Sequence, residues 1–264
     1  MESVVAGRTA IGNVVCDLDG VVYLLGHPIP GAGQALIDLD AAGYAVLFVT
    51  NNSTRTPEMT AARVANLTGY PAEPRQVIGS AEAAITLLAA EAGPALVVGW
   101  AGIRQALAAA KVPETDDPGA AAAVIVGLDP DLSYERLRDA VVAVRNGARF
   151  IATNTDATYP TPDGLWPGAG AMVAAIEFAS GIRPEIAGKP YPPIRKLIHD
   201  RLEPGPVWVV GDRPETDLAM ARMEGWTSVL VLTGVVDEAD ALANEDRPDL
   251  ILASLADLPE ALQS

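Results

Sequence analysis

The chain has 264 residues, which is enough for one large domain or two modest ones around a sizeable core. Hydrophobic residues make up 50% and aromatic residues 5%, which argues against disorder and favours a core of Ala, Val, Leu and Ile. A formal net charge of −16 argues against binding to nucleic acid or to an anionic membrane surface, because both attract clustered Lys and Arg.

Cysteine, histidine and apolar runs narrow the class of protein further. Cys16 is the single cysteine, which excludes an intrachain disulfide and a cysteine-rich zinc site, and the two histidines are far apart. Residues 1–9 have no long apolar core behind a basic end, and no uncharged apolar run reaches the ~20 residues of a membrane span. We therefore expect a cytoplasmic protein that binds neither nucleic acid nor membrane.

Short apolar runs alternate with helical patterns along the whole chain. This alternation predicts right-handed βαβ units and an α/β fold with a doubly wound parallel sheet, whose buried strands are rich in Val, Ile and Leu. The predicted strands are Val14–Asp17, Ala45–Thr50, Ala95–Gly99, Ala122–Gly127, Phe150–Thr153, Val207–Gly211, Ser228–Leu232 and Leu250–Leu252. The predicted helices, each ending at or near a glycine, are Gln34–Ala42, Pro57–Leu67, Tyr134–Asn146 and Ala169–Ser180.

The polar strand ends occur in two groups, one near the start of the chain and one after residue 185. The stretch between the groups has strands and helices of its own. We therefore predict a core domain made of residues 1–82 and 186–264, with a second, smaller α/β domain inserted at residues 83–185.

The first predicted strand ends in two carboxylates two residues apart, Asp17 and Asp19, followed by Gly20. If the strand continues, both side chains share one face, at the edge where open α/β sheets usually bind ligands. Neighbouring carboxylates repel each other unless a cation or proton lies between them, and Mg²⁺ completed by a substrate phosphate relieves this repulsion. An acidic turn after a strand is the alternative for this motif alone.

A hydroxyl and an ammonium follow at later positions. Thr50 closes a predicted strand and is followed by Asn51, an arrangement suited to a phosphate oxygen, although Thr-Asn-Asn-Ser at 50–53 also fits a turn and helix cap. Lys189 lies between a glycine and a proline, and a solvated lysine is its simpler interpretation.

A second pair of acids follows the strand that ends at Gly211. Asp212 comes directly after this buried run, and Asp217 follows five residues later at a predicted helix start. A helix cap is an alternative for Asp217, but it does not explain an acid at the end of a buried strand.

In this order the four motifs resemble those of the haloacid dehalogenase superfamily of phosphohydrolases. Within it the chain is similar to the nitrophenylphosphatase-type subgroup (subclass IIA), whose large cap domain is inserted between the second and third motifs. The superfamily motifs are Asp17-Leu18-Asp19-Gly20, Thr50, Lys189, and Gly211-Asp212 with Asp217. The subgroup features are residues 19–23, 50–53, 163–165 with 167–170, and 188–190.

This resemblance implies roles for the acids. Asp17 would attack phosphorus and form an aspartyl phosphate, while Asp19 would protonate the leaving group and then activate water. Mg²⁺ would be bound by Asp17, the backbone carbonyl of Asp19, Asp212 and the substrate phosphate. Asp217 would support the metal-bound waters and Lys189.

The resemblance also implies that Thr50, the Asn51 N–H and Lys189 bind the phosphoryl oxygens. The expected function is that of a Mg²⁺-dependent phosphatase of small phosphomonoesters, and relatives imply a homodimer through the cap. The alternatives are a phosphatase for phosphoglycolate, a nucleoside monophosphate or pyridoxal phosphate, and a non-catalytic regulatory module with this fold. The complete set of acids argues against the last.

In the family, the cap loop that faces the metal corresponds to residues 154–166, which contain no Lys or Arg. A substrate with a second negative charge would be buried there without a partner, which is costly. A neutral polyol could instead donate to Asp156 or Asp163 and accept from Asn154. We therefore expect glycerol phosphate to be a better substrate than phosphoglycolate, unless Arg149 or a dimer partner supplies a cation.

Overall fold

The computed structural model describes residues 10–88, 93–236 and 247–263 of the chain. The expectation that residues 1–9 hold no targeting signal lies outside these residues. Among the described helices, none is both long enough and apolar enough to cross a bilayer.

Strands and helices alternate through the described residues. The strands are β1 (Gly12–Cys16), β2 (Tyr23–Leu24), β3 (His27–Pro28), β4 (Tyr44–Thr50), β5 (Val77–Gly79), β6 (Ala95–Val98), β7 (Ala123–Val126), β8 (Arg149–Ala152), β9 (Thr158–Thr161), β10 (Gly164–Pro167), β11 (Glu185–Ile186), β12 (Val207–Gly211), β13 (Thr227–Val231) and β14 (Leu250–Leu252). The helices are α1 (Ala32–Ala42), α2 (Pro57–Thr68), α3 (Ser80–Thr86), α4 (Ala101–Ala109), α5 (Tyr134–Arg145), α6 (Ala169–Ser180), α7 (Pro192–His199), α8 (Ala219–Glu224) and α9 (Leu258–Ala261).

The larger sheet has six strands in the order β14-β13-β12-β1-β4-β5. β1 pairs in parallel with β12 on one side and with β4 on the other, so that Cys16 lies opposite both Val210 and Phe48. All five residues of β1 are buried, as expected for a strand covered on both faces. The polar residues that follow β1 and β12 therefore leave the same edge of the sheet.

A second, separate sheet has four strands in the order β11-β8-β7-β6, all parallel. Its strands pack on α5 and α6 through a buried apolar cluster that includes Val126, Val144, Phe150 and Ile176. Two antiparallel pairs, β2 with β3 and β9 with β10, complete the strand pairing of the described residues.

The described residues divide into two compact units. The first contains the chain up to Phe48, Val64–Pro71 and the chain from Ile198 onward. The second contains Val49–Arg63 and Ala72–Leu197, and therefore the whole four-stranded sheet. The division at residues 82–83 and 185–186 stays a prediction.

The α/β class and the parallel sheet are confirmed, and each predicted strand and helix is present with its ends shifted by at most two residues. Cys16 is a fully buried apolar residue of β1, as its sequence context indicated. The prediction that residues 154–166 form a loop was wrong in part, because β9 and β10 form a hairpin there. Its turn is set by Gly164, with φ +110°, and by the Thr161 hydroxyl, which donates to the Gly164 carbonyl at 2.8 Å.

Candidate active site

Three carboxylates of the first unit form a compact cluster. One oxygen from each of Asp17, Asp212 and Asp217 lies within 4.8 Å of the other two. The three residues are 8%, 2% and 1% exposed, respectively. Buried acids at this separation repel one another strongly unless a cation lies between them.

The register of β1 and β12 explains why Asp17 and Asp212 meet. Asp17 follows β1 directly and its N–H donates to the Val210 carbonyl at 2.9 Å, which continues the ladder by one residue. Asp212 follows the adjacent strand, and its Oδ2 accepts from the Val235 N–H at 3.1 Å. Gly20, with φ +85°, is required here, because a Cβ at this position would lie 2.5 Å from Asp212 Oδ2.

Asp217 reaches the cluster from an irregular turn. The segment Pro214–Leu218 forms one π-helical turn before α8 begins, and the Asp217 N–H donates to the Arg213 carbonyl at 3.0 Å. The helix-cap alternative is wrong for Asp217, because it lies inside this turn with its side chain buried. π-Helical turns occur often at functional sites.

The cluster fits a hard divalent cation. Its donors are all carboxylate oxygens, which Mg²⁺ and Ca²⁺ prefer, whereas zinc sites usually include nitrogen or sulfur. Mg²⁺ keeps several waters and uses only one or two carboxylates directly, so a small oxygen cluster at the open edge of a sheet suits it.

Asp19 is not a member of this cluster. It is partly exposed and forms an isolated bridge with Tyr23, while the Gly20 N–H donates to the Tyr23 carbonyl at 2.8 Å. The chain after β1 therefore turns back at once, and Asp19 leaves the strand end at the start of this turn.

A hydroxyl and an ammonium come together in the second unit. Thr50 ends β4 and is 4% exposed, and its Oγ1 accepts from the Asn52 N–H at 3.1 Å. Lys189 is also 4% exposed, and its Nζ donates to the Val49 carbonyl at 2.9 Å. A positive charge and a hydroxyl at one strand end suit the binding of phosphoryl oxygens. The solvated interpretation of Lys189 was wrong.

Asn51 holds the segment that carries Lys189. Its Oδ1 accepts from the Lys189 N–H at 2.8 Å, and its Nδ2 donates to the carboxylate of Asp156 at 3.2 Å. Its carbonyl accepts from the Ser80 hydroxyl at 2.6 Å and from Asn154 Nδ2 at 2.7 Å. This side chain is therefore bound on both sides within the protein.

Asn154 and Asp156, both predicted to contact substrate, belong to the same network. Asn154 is 5% exposed, and its Oδ1 accepts from the Asp156 N–H at 3.0 Å while its Nδ2 donates to the Asn51 carbonyl. Both ends of the Asn154 amide are thus bonded inside the chain, which favours a supporting role for it. Asp156 is half-buried and accepts from Asn51.

The sequence of this chain is similar to those of known hydrolases. Residues 14–113 match a profile for haloacid dehalogenase-like hydrolases, and residues 186–258 match a second, HAD-hydrolase-like profile. An acid sugar phosphatase from Staphylococcus haemolyticus is 36% identical over 236 residues, which cover 88% of this chain and 89% of the relative. The chain belongs to the haloacid dehalogenase-like hydrolases.

Two solved structures agree with this family. The glycerol phosphate phosphatase of Mycobacterium tuberculosis in complex with magnesium is 35% identical, with a TM-score of 0.84 over 95% of this chain and 78% of that one. The p-nitrophenyl phosphatase of Archaeoglobus fulgidus is 29% identical, with a TM-score of 0.87 over 96% and 99% of the two chains. The resemblance to nitrophenylphosphatase-type hydrolases is thereby confirmed.

The sequence motifs of this hydrolase did not predict the buried polar residues that surround Asn51. Ser80 begins α3, and the Thr153 hydroxyl donates to Ser53 Oγ at 3.1 Å. Gly188 is needed for close packing, because a Cβ there would lie 2.5 Å from both Asn51 Oδ1 and the Thr153 carbonyl. The glycine before Lys189 was visible in the sequence, but its packing partner could not be inferred from local pattern.

Proposed function

We propose that this hydrolase is a Mg²⁺-dependent phosphatase of small phosphomonoesters that works through an aspartyl phosphate. The observation that carries the proposal is the buried cluster of Asp17, Asp212 and Asp217 at the edge of the larger sheet. The relatives described above are phosphatases, and one of them was solved with magnesium.

The two acids after β1 have different roles, Asp17 as the nucleophile and Asp19 as the general acid and base. A carboxylate oxygen of Asp17 attacks phosphorus, the bond to the leaving oxygen breaks, and Asp19 gives its proton to that oxygen. Asp19, now a carboxylate, then takes a proton from water as the water attacks the aspartyl phosphate. This second displacement regenerates Asp17 and releases inorganic phosphate.

The remaining residues bind and neutralise charge. Lys189, the Thr50 hydroxyl and the Asn51 N–H bind the phosphoryl oxygens, where negative charge must be stabilised during transfer. Asp17, the Asp19 carbonyl and Asp212 would hold Mg²⁺, which would lower the repulsion between the nucleophile and the phosphate. Asp217 supports this site from the π-helical turn.

Hydrolysis of p-nitrophenyl phosphate tests the proposal directly. We expect turnover with Mg²⁺, loss of turnover with excess EDTA, recovery when Mg²⁺ is restored, and poor turnover with Ca²⁺, whose looser oxygen shell disturbs in-line geometry. Full activity in excess EDTA would contradict the metal site, and absence of turnover on a broad panel of esters would contradict the function.

A polyol phosphate such as glycerol phosphate is the substrate class that we propose. The hairpin segment 154–166 has no cation. Arg149, which precedes this segment in sequence, begins β8 at the strand end opposite to Thr153. Its Nε and Nη2 donate to Glu185 at 3.0 and 2.8 Å. The names of the relatives, acid sugar phosphatase and glycerol phosphate phosphatase, support the same class.

A panel assay ranks the substrates. We expect a higher kcat/KM for glycerol phosphate than for phosphoglycolate, because the latter has a carboxylate that this segment leaves unpaired. If phosphoglycolate, a nucleoside monophosphate or pyridoxal phosphate ranks first, the polyol assignment is wrong although the phosphatase assignment stands.

A further inference from the structure

We propose that Asn51 is a positioning residue for Lys189, and that Asp156 fixes the orientation of the Asn51 amide. The inference rests on the proposed function in one respect only, namely that Lys189 binds the phosphoryl group. It assigns Asn51 and Asp156 to the support of that lysine and not to contact with the leaving group.

The Asn51 amide bonds to both backbone polar groups of Lys189. Its Oδ1 accepts from the Lys189 N–H at 2.8 Å, and its Nδ2 lies 3.4 Å from the Lys189 carbonyl oxygen. One planar side chain therefore fixes the peptide groups on either side of the lysine Cα. The Lys189 side chain then leaves this fixed backbone and donates to the Val49 carbonyl at 2.9 Å.

Asp156 decides which way the Asn51 amide faces. The Nδ2 lies 3.2 and 3.4 Å from the two carboxylate oxygens of Asp156. A carboxylate at neutral pH can only accept, so the NH₂ of Asn51 must face it and the Oδ1 must face the Lys189 N–H. Without this acceptor the amide could rotate by half a turn and present a donor to a donor.

Close packing leaves little room for Asn51 or Lys189 to move. The two residues are 8% and 4% exposed, and a Cβ on Gly188 would meet both Asn51 and the Thr153 carbonyl at 2.5 Å. The Asn51 carbonyl is held by Ser80 and Asn154. The backbone of Lys189, from which the ammonium extends, is therefore positioned through the orientation of the Asn51 amide.

An exchange of the two side chains tests this arrangement. Asn51→Asp places two carboxylates face to face and removes the donor, so the loop that holds Lys189 shifts. Because a displacement of 1 Å can cost about 100-fold in rate, we expect kcat/KM to fall by about that factor. Asp156→Asn should have a mild effect, since its Oδ1 can still accept. The double variant Asn51→Asp with Asp156→Asn restores a donor opposite an acceptor. Its kcat/KM should be at least about tenfold higher than that of Asn51→Asp alone.

Two measurements are made on each protein at saturating Mg²⁺. Steady-state hydrolysis of p-nitrophenyl phosphate separates kcat from KM, and calorimetry gives the affinity for inorganic phosphate. We expect Asn51→Asp to lower phosphate affinity and kcat together, and the double variant to restore both. Asp249→Asn is the matched control, because Asp249 is a carboxylate that accepts from the Ser228 N–H and hydroxyl at 2.7 Å outside this network. It should leave both values unchanged.

The outcomes distinguish this inference from the proposed function. Wild-type values in Asn51→Asp, or a double variant no better than Asn51→Asp, would overturn the inference. If Asn51→Asp does not fold, Asp156→Ala serves instead, and an unchanged phosphate affinity in that variant would overturn the inference equally. A wild type that binds phosphate without hydrolysing any ester would contradict the proposed function alone, because the calorimetric comparison still decides the role of Asn51.

Discussion

At the scale of single residues, Asp17 and Asp19 leave the same strand end into different surroundings. Asp17 is 8% exposed and belongs to the carboxylate cluster, whereas Asp19 is partly exposed and begins a turn. The proposed mechanism requires two such environments, a fixed cluster for the nucleophile and access to water for the residue that carries the proton.

Substitution of either acid by its amide tests the separate roles proposed for Asp17 and Asp19. Asp17→Asn keeps the volume but removes the proposed nucleophile, so turnover of p-nitrophenyl phosphate should be abolished. Asp19→Asn should reduce kcat by a factor of about 10²–10⁴, the range typical of general acid–base catalysis. Circular dichroism checks that both variants fold. Near-native turnover in folded Asp17→Asn protein would refute the mechanism.

The Asp249 carboxylate contributes to the stability of the folded protein through its hydrogen bonds with Ser228. Hydrogen bonds from the Ser228 side chain, and then from its backbone N–H, hold the pKa of the Asp249 carboxyl below its usual value. A lowered pKa in the folded protein means stabilisation that is present above the unfolded pKa and lost as pH falls through the folded pKa.

The Asp249→Asn variant should therefore be less stable than the wild type at neutral pH. The difference should shrink as the pH falls from about 6 to about 3, across the usual range of aspartate titration. Urea unfolding at several pH values measures it. A difference in unfolding free energy that stays constant with pH would show that the charge of Asp249 makes no contribution.

At the scale of elements, the end of β12 lies very close to the π-helical turn that carries Asp217. A Cβ on Gly211 would overlap the Cβ and carboxylate of Asp217, so the strand end and the π-helical turn touch only because this side chain is absent. Gly79, at the end of β5, differs from Gly211, because the atom nearest to a Cβ at Gly79 would be 4.0 Å away.

Gly211→Ala should displace Asp217 and weaken the cation site. We expect a higher Mg²⁺ concentration for half-maximal activity, whereas Gly79→Ala should leave this concentration unchanged. A Mg²⁺ titration of p-nitrophenyl phosphate hydrolysis measures both variants. Equal Mg²⁺ requirements in the two variants would contradict the role assigned to Asp217.

Most strands and the residues at their ends could be predicted because a buried parallel strand is a continuous apolar run that ends abruptly. The short strands β5 and β11 have too few residues to show a pattern. The contacts of Asn51 could not be predicted either, because its partners Asp156 and Lys189 are 105 and 138 residues away in sequence. Only the folded chain brings these side chains together.

At the scale of the whole molecule, the net charge of −16 affects how substrates arrive. Its long-range field repels anions at low ionic strength, where the Debye length is about 30 Å, and much less at physiological salt, where it is about 8 Å. Phosphoglycolate has one more negative charge than glycerol phosphate and should be repelled more strongly.

Raising NaCl from about 10 mM to about 150 mM should therefore increase kcat/KM at saturating Mg²⁺, and more for phosphoglycolate than for glycerol phosphate. Steady-state kinetics at each salt concentration, with Mg²⁺ saturation verified each time, measures the effect. An equal or smaller increase for phosphoglycolate would show that charges near the site, and not the overall charge, govern approach.

The pairing of β1 with β12 has a consequence for biosynthesis. Asn13 lies opposite Val207, and its side chain also bonds to the backbone of Glu203. At typical translation speeds the ribosome needs on the order of 10–40 s to add the residues between these two strands. During that time β1 can pair with β4 but its other edge stays open, and an unpaired strand edge invites pairing with other chains. On the nascent chain this edge of β1 therefore stays open until β12, Val207–Gly211, has been synthesised.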